Sequence, residues 1–107
     1  MHRTLGPGSL EATYENALCA ELSRAGLEFK RQVVVPIHYK GAMIGEHRLD
    51  LLVEDKIIVE LKAVSQFEEV FFAQVLAYMR VTKKSVGLLF NFNVPVLMEG
   101  GFRRFVL

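Results

Sequence analysis

The sequence is poor in cysteine, in excess charge and in long apolar runs, and each shortage excludes something. With one cysteine, Cys19, in 107 residues there is no disulfide framework, so a reducing cytoplasm is the expected compartment. Cys19 itself reads as a small buried helix residue rather than a nucleophile. No run approaches the roughly 18 uninterrupted apolar residues of a membrane span, so no membrane partner is expected. The opening Met-His-Arg-Thr-Leu-Gly-Pro-Gly lacks the apolar stretch of a secretory signal. Formal net charge is only +1, so bulk electrostatics neither support nor exclude a nucleic-acid partner. Arg24, Lys30, Arg31, Lys83, Lys84, Arg103 and Arg104 could cluster into a local basic surface, although such charges are usually solvated singly. His38 and His47 lack a paired metal-ligand spacing; His47 alternates with Leu49 and Leu51 and reads as a packed histidine. There is no repeat, low-complexity segment or linker.

What remains is an ordinary globular balance, with 51% hydrophobic and 23% charged residues, in a chain long enough for one domain over 1–107. Gly6, Pro7, Gly8 and Ser9 form a breaker cluster, with Ser9 a candidate N-cap. Leu10, Tyr14, Leu18, Leu22 and Ala25 then recur at helical spacing until Gly26. Phe29 to Tyr39 is rich in β-branched and aromatic residues and reads as a strand, with Pro36 implying an edge or a bulge. Lys40-Gly41 turns the chain into a second strand, Met43 to Val53, and a third follows over Ile57 to Val64. Phe67, Val70, Phe71, Val75 and Tyr78 mark a second helix from Phe67 to Val81. Ser85 to Phe92 reads as a strand buried on both faces. Pro95 begins a loop, Gly100-Gly101 turns, and Phe102 to Leu107 suits a last strand. The expected fold class is mixed α/β.

The chemistry concentrates in Asp50 to Lys62, Asp-Leu-Leu-Val-Glu-Asp-Lys-Ile-Ile-Val-Glu-Leu-Lys. Charges interrupting apolar strands are costly to bury unless paired or used. Period-two alternation gives Glu60 and Lys62 one face with Ile58 and Val64, and gives Asp50 a face with Arg48 and Leu52. A three-residue loop, Glu54-Asp55-Lys56, would pair Val53 with Ile57 and set Asp50 opposite Glu60. Opposed Cβ atoms stand roughly 4.5–5.5 Å apart, close enough for two carboxylates to share a cation. A two-residue loop would oppose Asp50 to Val59 and break the site. Mg²⁺ takes oxygen ligands and keeps several waters, so two carboxylates plus a substrate phosphate suit it. Lys62 would orient or deprotonate the attacking water, and the Leu61 carbonyl would offer a further ligand. The competing reading is a structural ion pair of Asp50, Glu60 and Lys62 on a solvated sheet face.

These residues carry a resemblance. Asp50, nine intervening residues and Glu60-Leu61-Lys62, in helix–strand–strand–strand–helix–strand order, resemble the PD-(D/E)xK nuclease superfamily. Within it, Gly8-Ser9-Leu10-Glu11-Ala12-Thr13-Tyr14-Glu15 is similar to the signature of the GxxExxY proteins. Tyr39-Lys40-Gly41, Arg48-Leu49-Asp50, Val59-Glu60-Leu61-Lys62, Ala73-Gln74 and Leu89-Phe90-Asn91-Phe92 extend the likeness over nearly the whole chain. Leu49 stands where the superfamily's name has proline, and Phe71 is apolar where relatives carry a polar residue.

The resemblance implies a restriction-endonuclease-like core, a mixed central sheet flanked by two helices. It implies a metal-dependent nuclease, with Mg²⁺ or Mn²⁺ held by Asp50 and Glu60, acting on nucleic acid, with DNA the expected one. A first-helix acid usually joins the site: Glu15, whose spacing to Gly26 is similar to that in archaeal Holliday-junction resolvases, or Glu11, the signature acid. The competing reading of either is a charge on a helix flank. Gln74 and Tyr78 look like the auxiliary Gln-x-x-x-Tyr motif of RecB-type members, or else a core tyrosine beside a surface glutamine. Phe90 and Phe92 could stack bases, although core packing is the simpler role. Exposed sheet edges are compatible with a homodimer, as in resolvases. The alternative functions are a catalytically inactive nucleic-acid- or protein-binding module retaining the fold, and an inactive partner subunit of a larger nuclease.

Overall fold

Left-handed residues at two tight turns lay down the first half of the sheet. Lys40 and Gly41, with φ of 51° and 84°, form the two-residue turn that suits a twisted hairpin. They join β1 (Phe29–Tyr39) to β2 (Ala42–Val53). Glu54 and Asp55, with φ of 53° and 56°, turn the chain again into β3 (Ile57–Lys62). This computed structural model describes residues 11–64, 67–92 and 101–107.

Helix α1 (Glu11–Arg24) precedes the hairpin. Helix α2 (Glu69–Thr82) crosses from β3 to a parallel β4 (Val86–Asn91). Strand β5 (Phe102–Val106) returns antiparallel to β4, and the sheet order is β1-β2-β3-β4-β5. The expected mixed α/β fold is therefore present, and its last strand is real. Element ends differ by a residue or two. The second strand begins at Ala42. The third stops at Lys62, because the backbone of Val64 is taken by the side chain of Asn91. The second helix starts at Glu69, leaving Phe67 edge-on to Phe72 at 5.8 Å. β1 is an edge strand whose register shifts between Ile37 and His38, next to Pro36, which answers the two roles expected of that proline. The Gly6–Ser9 breaker cluster, the Leu10 start of the helical stripe, the Pro95 loop and Gly100 lie outside the described residues. Among the described residues, no helix is long and apolar enough to cross a membrane.

Two apolar layers sandwich the sheet. On one side Leu49, Leu52, Ile58 and Leu89 pack against Val75, Tyr78 and Met79 of α2. On the other, Leu51, Val53, Val59, Leu61 and Phe92 pack against Tyr14 and Cys19 of α1. The rings of Tyr14 and Phe92 stack at 4.5 Å. Each such side chain contributes about 1.5–3 kcal/mol on burial. Gly87 lets α2 lie directly on β4, since a Cβ there would stand 2.7 Å from Val75 Cγ1.

One expectation fails in an informative way. Strict alternation puts Leu49 and Leu51 on one face and Asp50 with Leu52, yet Leu49 and Leu52 share the α2 layer while Leu51 joins the α1 layer. On β1, Phe29 belongs to the α1 layer and Val33 to the α2 layer, although residues four apart in a regular strand share a face. Both strands therefore change face together, at Gln32 and Asp50. His47 follows Leu49 onto the α2 side, where it is solvent-exposed on its outer side but sets its ring 5.4 Å from that of Tyr78.

Candidate active site

The turn at 54–56 fixes the register of the acids. Val53 pairs with Ile57, Leu52 with Ile58 and Leu51 with Val59, the register of a three-residue loop, and Asp50 and Glu60 are the next residues along the two strands. There the backbone ladder gives way to side chains. Asp50 N donates to Glu60 Oε1 at 3.1 Å, and Leu61 N donates to Asp50 Oδ2 at 2.8 Å. Each carboxylate thus satisfies an amide of the other's strand. Glu60 is 3% exposed and Asp50 half-buried. Burial, followed by the neighbouring Asp50 charge, pushes the Glu60 carboxyl up to about 8. Burial likewise raises Asp50, opposed by the hydrogen bond from Leu61. Two adjacent desolvated carboxylates repel each other, and a proton or a cation relieves them.

Lys62, on the same side of β3 as Glu60, lays its Nζ 5.0 Å from the centroid of the Phe71 ring, an electrostatically favourable seat for an ammonium. The apolar Phe71 therefore carries the lysine. Its charge acts on both carboxyls, favouring their ionised forms.

The first-helix acids take different positions. Glu15 is buried, 8% exposed, and its carboxylate is fully engaged. Arg31 donates to Oε2 through Nε at 3.1 Å and Nη2 at 2.8 Å, while Gln32 Nε2 donates to Oε1 at 2.8 Å. Arg31 also binds Asn16. Glu11 is exposed and accepts a hydrogen bond from Ala63 N at 3.2 Å. Both acids line a cleft of about 430 Å³ with Ala12, Gln32, Asp50 and Leu61. A larger hollow, about 570 Å³, lies at the opposite end of the sheet beside Leu27, Phe29 and Lys30 and does not contain the paired acids. Among the described residues, no three His, Cys, Asp or Glu side chains are gathered closely enough to hold a metal ion. Asp50 and Glu60 come together; Glu15 shares the cleft with Asp50 but is drawn to Arg31 and Gln32. The donor chemistry still fits a hard divalent cation, because Mg²⁺ is commonly held by only one or two carboxylates with water and phosphate completing its shell.

Tyr78 is core, 4% exposed. Burial, then the Glu60 and Asp50 charges, push its hydroxyl up to about 12. Tyr78 meets His47 at 3.5 Å, and Gln74 lines a hollow with both of them. Phe90 and Phe92 pack in the α1 layer and are core residues. Of the basic residues expected to cluster, Arg31 is committed to Glu15, and Lys84 lies 3.5 Å from Asp55.

Three site residues escaped sequence reasoning. Arg31 and Gln32 precede a β-branched run and carry no spacing signal toward Glu15. Asn91, given no role of its own by the sequence, is 1% exposed and holds Val64 by both ends of its amide. Its signals were a polar residue closing an apolar strand and its place in the Leu89-Phe90-Asn91-Phe92 stretch of the resemblance.

The sequence model described as the PD-(D/E)XK nuclease superfamily matches residues 1–105, and the chain belongs to that superfamily. Its members are nucleases that generally use divalent metals, and their substrates are nucleic acids. No curated protein and no solved structure matches the chain.

Proposed function

We propose that this protein is a Mg²⁺-dependent nuclease of the GxxExxY group, hydrolysing phosphodiester bonds of DNA. The observation that carries the reading is the Asp50–Glu60 pair: two desolvated carboxylates held together on adjacent strands, with Lys62 two residues on. When bound, the divalent cation would supply charge neutralisation at the phosphate and acidify a water. Asp50 and Glu60 hold it, with the Leu61 carbonyl as a further ligand. Glu15 completes the acidic shell, and Glu11 is the second candidate for that place. Lys62 Nζ orients the attacking water and stabilises charge on the phosphate oxygens. Gln74, in the Gln-x-x-x-Tyr pattern, contacts the site or the nucleic acid. Selectivity follows nucleic-acid shape; exposed sheet edges suit a homodimer, and the single buried cysteine suits the cytoplasm.

The second reading, a binding module that keeps the fold, is favoured by one observation, the engagement of Glu15 by Arg31 and Gln32. Calorimetric titration with Mn²⁺ separates the two. The nuclease binds Mn²⁺ and loses binding in Asp50→Ala and Glu60→Ala; a module binds none, or binds equally in all three.

A further inference from the structure

Five non-glycine residues among those described have positive φ, and four have an ordinary reason. Lys40, Glu54 and Asp55 make turns, and Lys83 ends α2. Gln32, at φ 50°, is inside a strand. Side chains rarely tolerate that conformation, and where the surrounding fold enforces it the reason is often functional. The pairing of β1 with β2 runs from Arg31↔Leu51 to Val33↔Leu49, stepping over Gln32 and Asp50.

The consequence is geometric. In a regular strand consecutive side chains point to opposite faces, so Arg31 and Gln32 could not both reach one carboxylate. Here they do: Arg31 takes Oε2 of Glu15 and Gln32 takes Oε1. Although Gln32 is exposed, its target is buried. The Gln32 side chain also lines one cleft with Glu15 and Asp50, and the Asp50 carboxylate accepts from Leu61 N.

We propose that Gln32 is a positioning residue: its left-handed backbone turns its amide under α1, where it spaces the Glu15 carboxylate from that of Asp50. Its consequence for cation binding rests on the nuclease reading. By orienting the first-helix acid toward the Asp50–Glu60 pair while Arg31 holds its other oxygen, the amide sets how readily Glu15 joins a cation there.

Two variants test this. Gln32→Gly keeps the backbone conformation and deletes the amide; Gln32→Asn tolerates the conformation and shortens the amide. The readouts are melting temperature, the side-chain carboxyl ¹³C signals of Glu15, Asp50 and Glu11 in the metal-free protein, and Mn²⁺ affinity by calorimetry. Gln32→Gly is expected to melt at the same temperature or higher, to displace the Glu15 and Asp50 signals but not that of Glu11, and to weaken Mn²⁺ binding about tenfold. Gln32→Asn should fall between. Unmoved Glu15 and Asp50 signals overturn the assignment. So does a melting temperature that falls in step with the displaced signals, which marks a purely structural residue, and so does unchanged Mn²⁺ affinity. Wild-type protein that binds no Mn²⁺ sinks the nuclease reading instead, and the metal-free carboxyl signals then decide the role of Gln32 by themselves.

Discussion

Asn91 holds Val64 with both ends of its amide: Val64 N donates to Asn91 Oδ1 at 3.1 Å, and Asn91 Nδ2 donates to Val64 O at 2.9 Å. Phe92 N meanwhile donates to Lys62 O at 2.8 Å. The chain leaving the candidate lysine is thereby tied to β4 after the ladder has ended. Asn91→Ala leaves two backbone groups of a part-buried segment without these partners, at a cost of about 2 kcal/mol. A thermal melt should register a fall on the order of 10 °C. Asn91→Asp should be nearly as harmful, since it cannot donate to Val64 O. An unchanged melt for Asn91→Ala would remove the clamp from the account.

The second prediction concerns pH. Glu60 is raised from 4.5 to about 8 by burial and then by Asp50, so the folded protein keeps a proton that the unfolded chain releases. A raised carboxyl contributes stability that is fully present below its unfolded value and is lost as pH rises through the folded one. In metal-free protein the stability of wild type relative to Glu60→Gln should fall between pH 4.5 and 8, by about 1 kcal/mol or more. Urea midpoints for both proteins at pH 5 and pH 8.5 would check this. Parallel curves would contradict the buried, protonated Glu60.

Gly87 gives a packing prediction. A Cβ there would meet Val75 Cγ1 at 2.7 Å and Met79 Sδ at 2.8 Å. Gly87→Ala should cost about 1–3 kcal/mol by pushing α2 from β4. Adding Val75→Ala should return part of that loss, read as non-additivity in a double-mutant cycle by chemical denaturation.

Phe71 seats Lys62 through its ring face, 5.0 Å from Nζ. Phe71→Leu keeps the apolar bulk and removes the π system, worth about 0.5–1 kcal/mol at a partly exposed site. Cleavage should slow about two- to fivefold, with Mn²⁺ affinity unchanged. A matching loss of Mn²⁺ affinity would mean that Phe71 supports the acids rather than the lysine.

Much of this arrangement was legible in the sequence because it rests on local rules. Gly26, Lys40-Gly41 and the Glu54-Asp55-Lys56 loop mark where elements end, and the length of that loop sets the register up to Leu51 and Val59, one residue short of Asp50 and Glu60. What could not be read was the change of face at Gln32 and Asp50. Alternation is the only rule that a single strand offers, and a left-handed glutamine breaks it without any residue type announcing the break. The capture of Glu15 by Arg31 follows from that same change of face, so it was hidden for the same reason. The grip of Asn91 on Val64 joins segments 27 residues apart, a distance over which spacing carries no information.

The most direct measurement is cleavage of labelled single-stranded, duplex and branched DNA with Mg²⁺ or Mn²⁺, run beside Lys62→Ala and an EDTA control. The account predicts cleavage by the wild type with at least one of these substrates, lost on chelation and in Lys62→Ala. Lys62→Ala protein that folds and cuts as fast as wild type, or wild type that cuts none of the three, would contradict it.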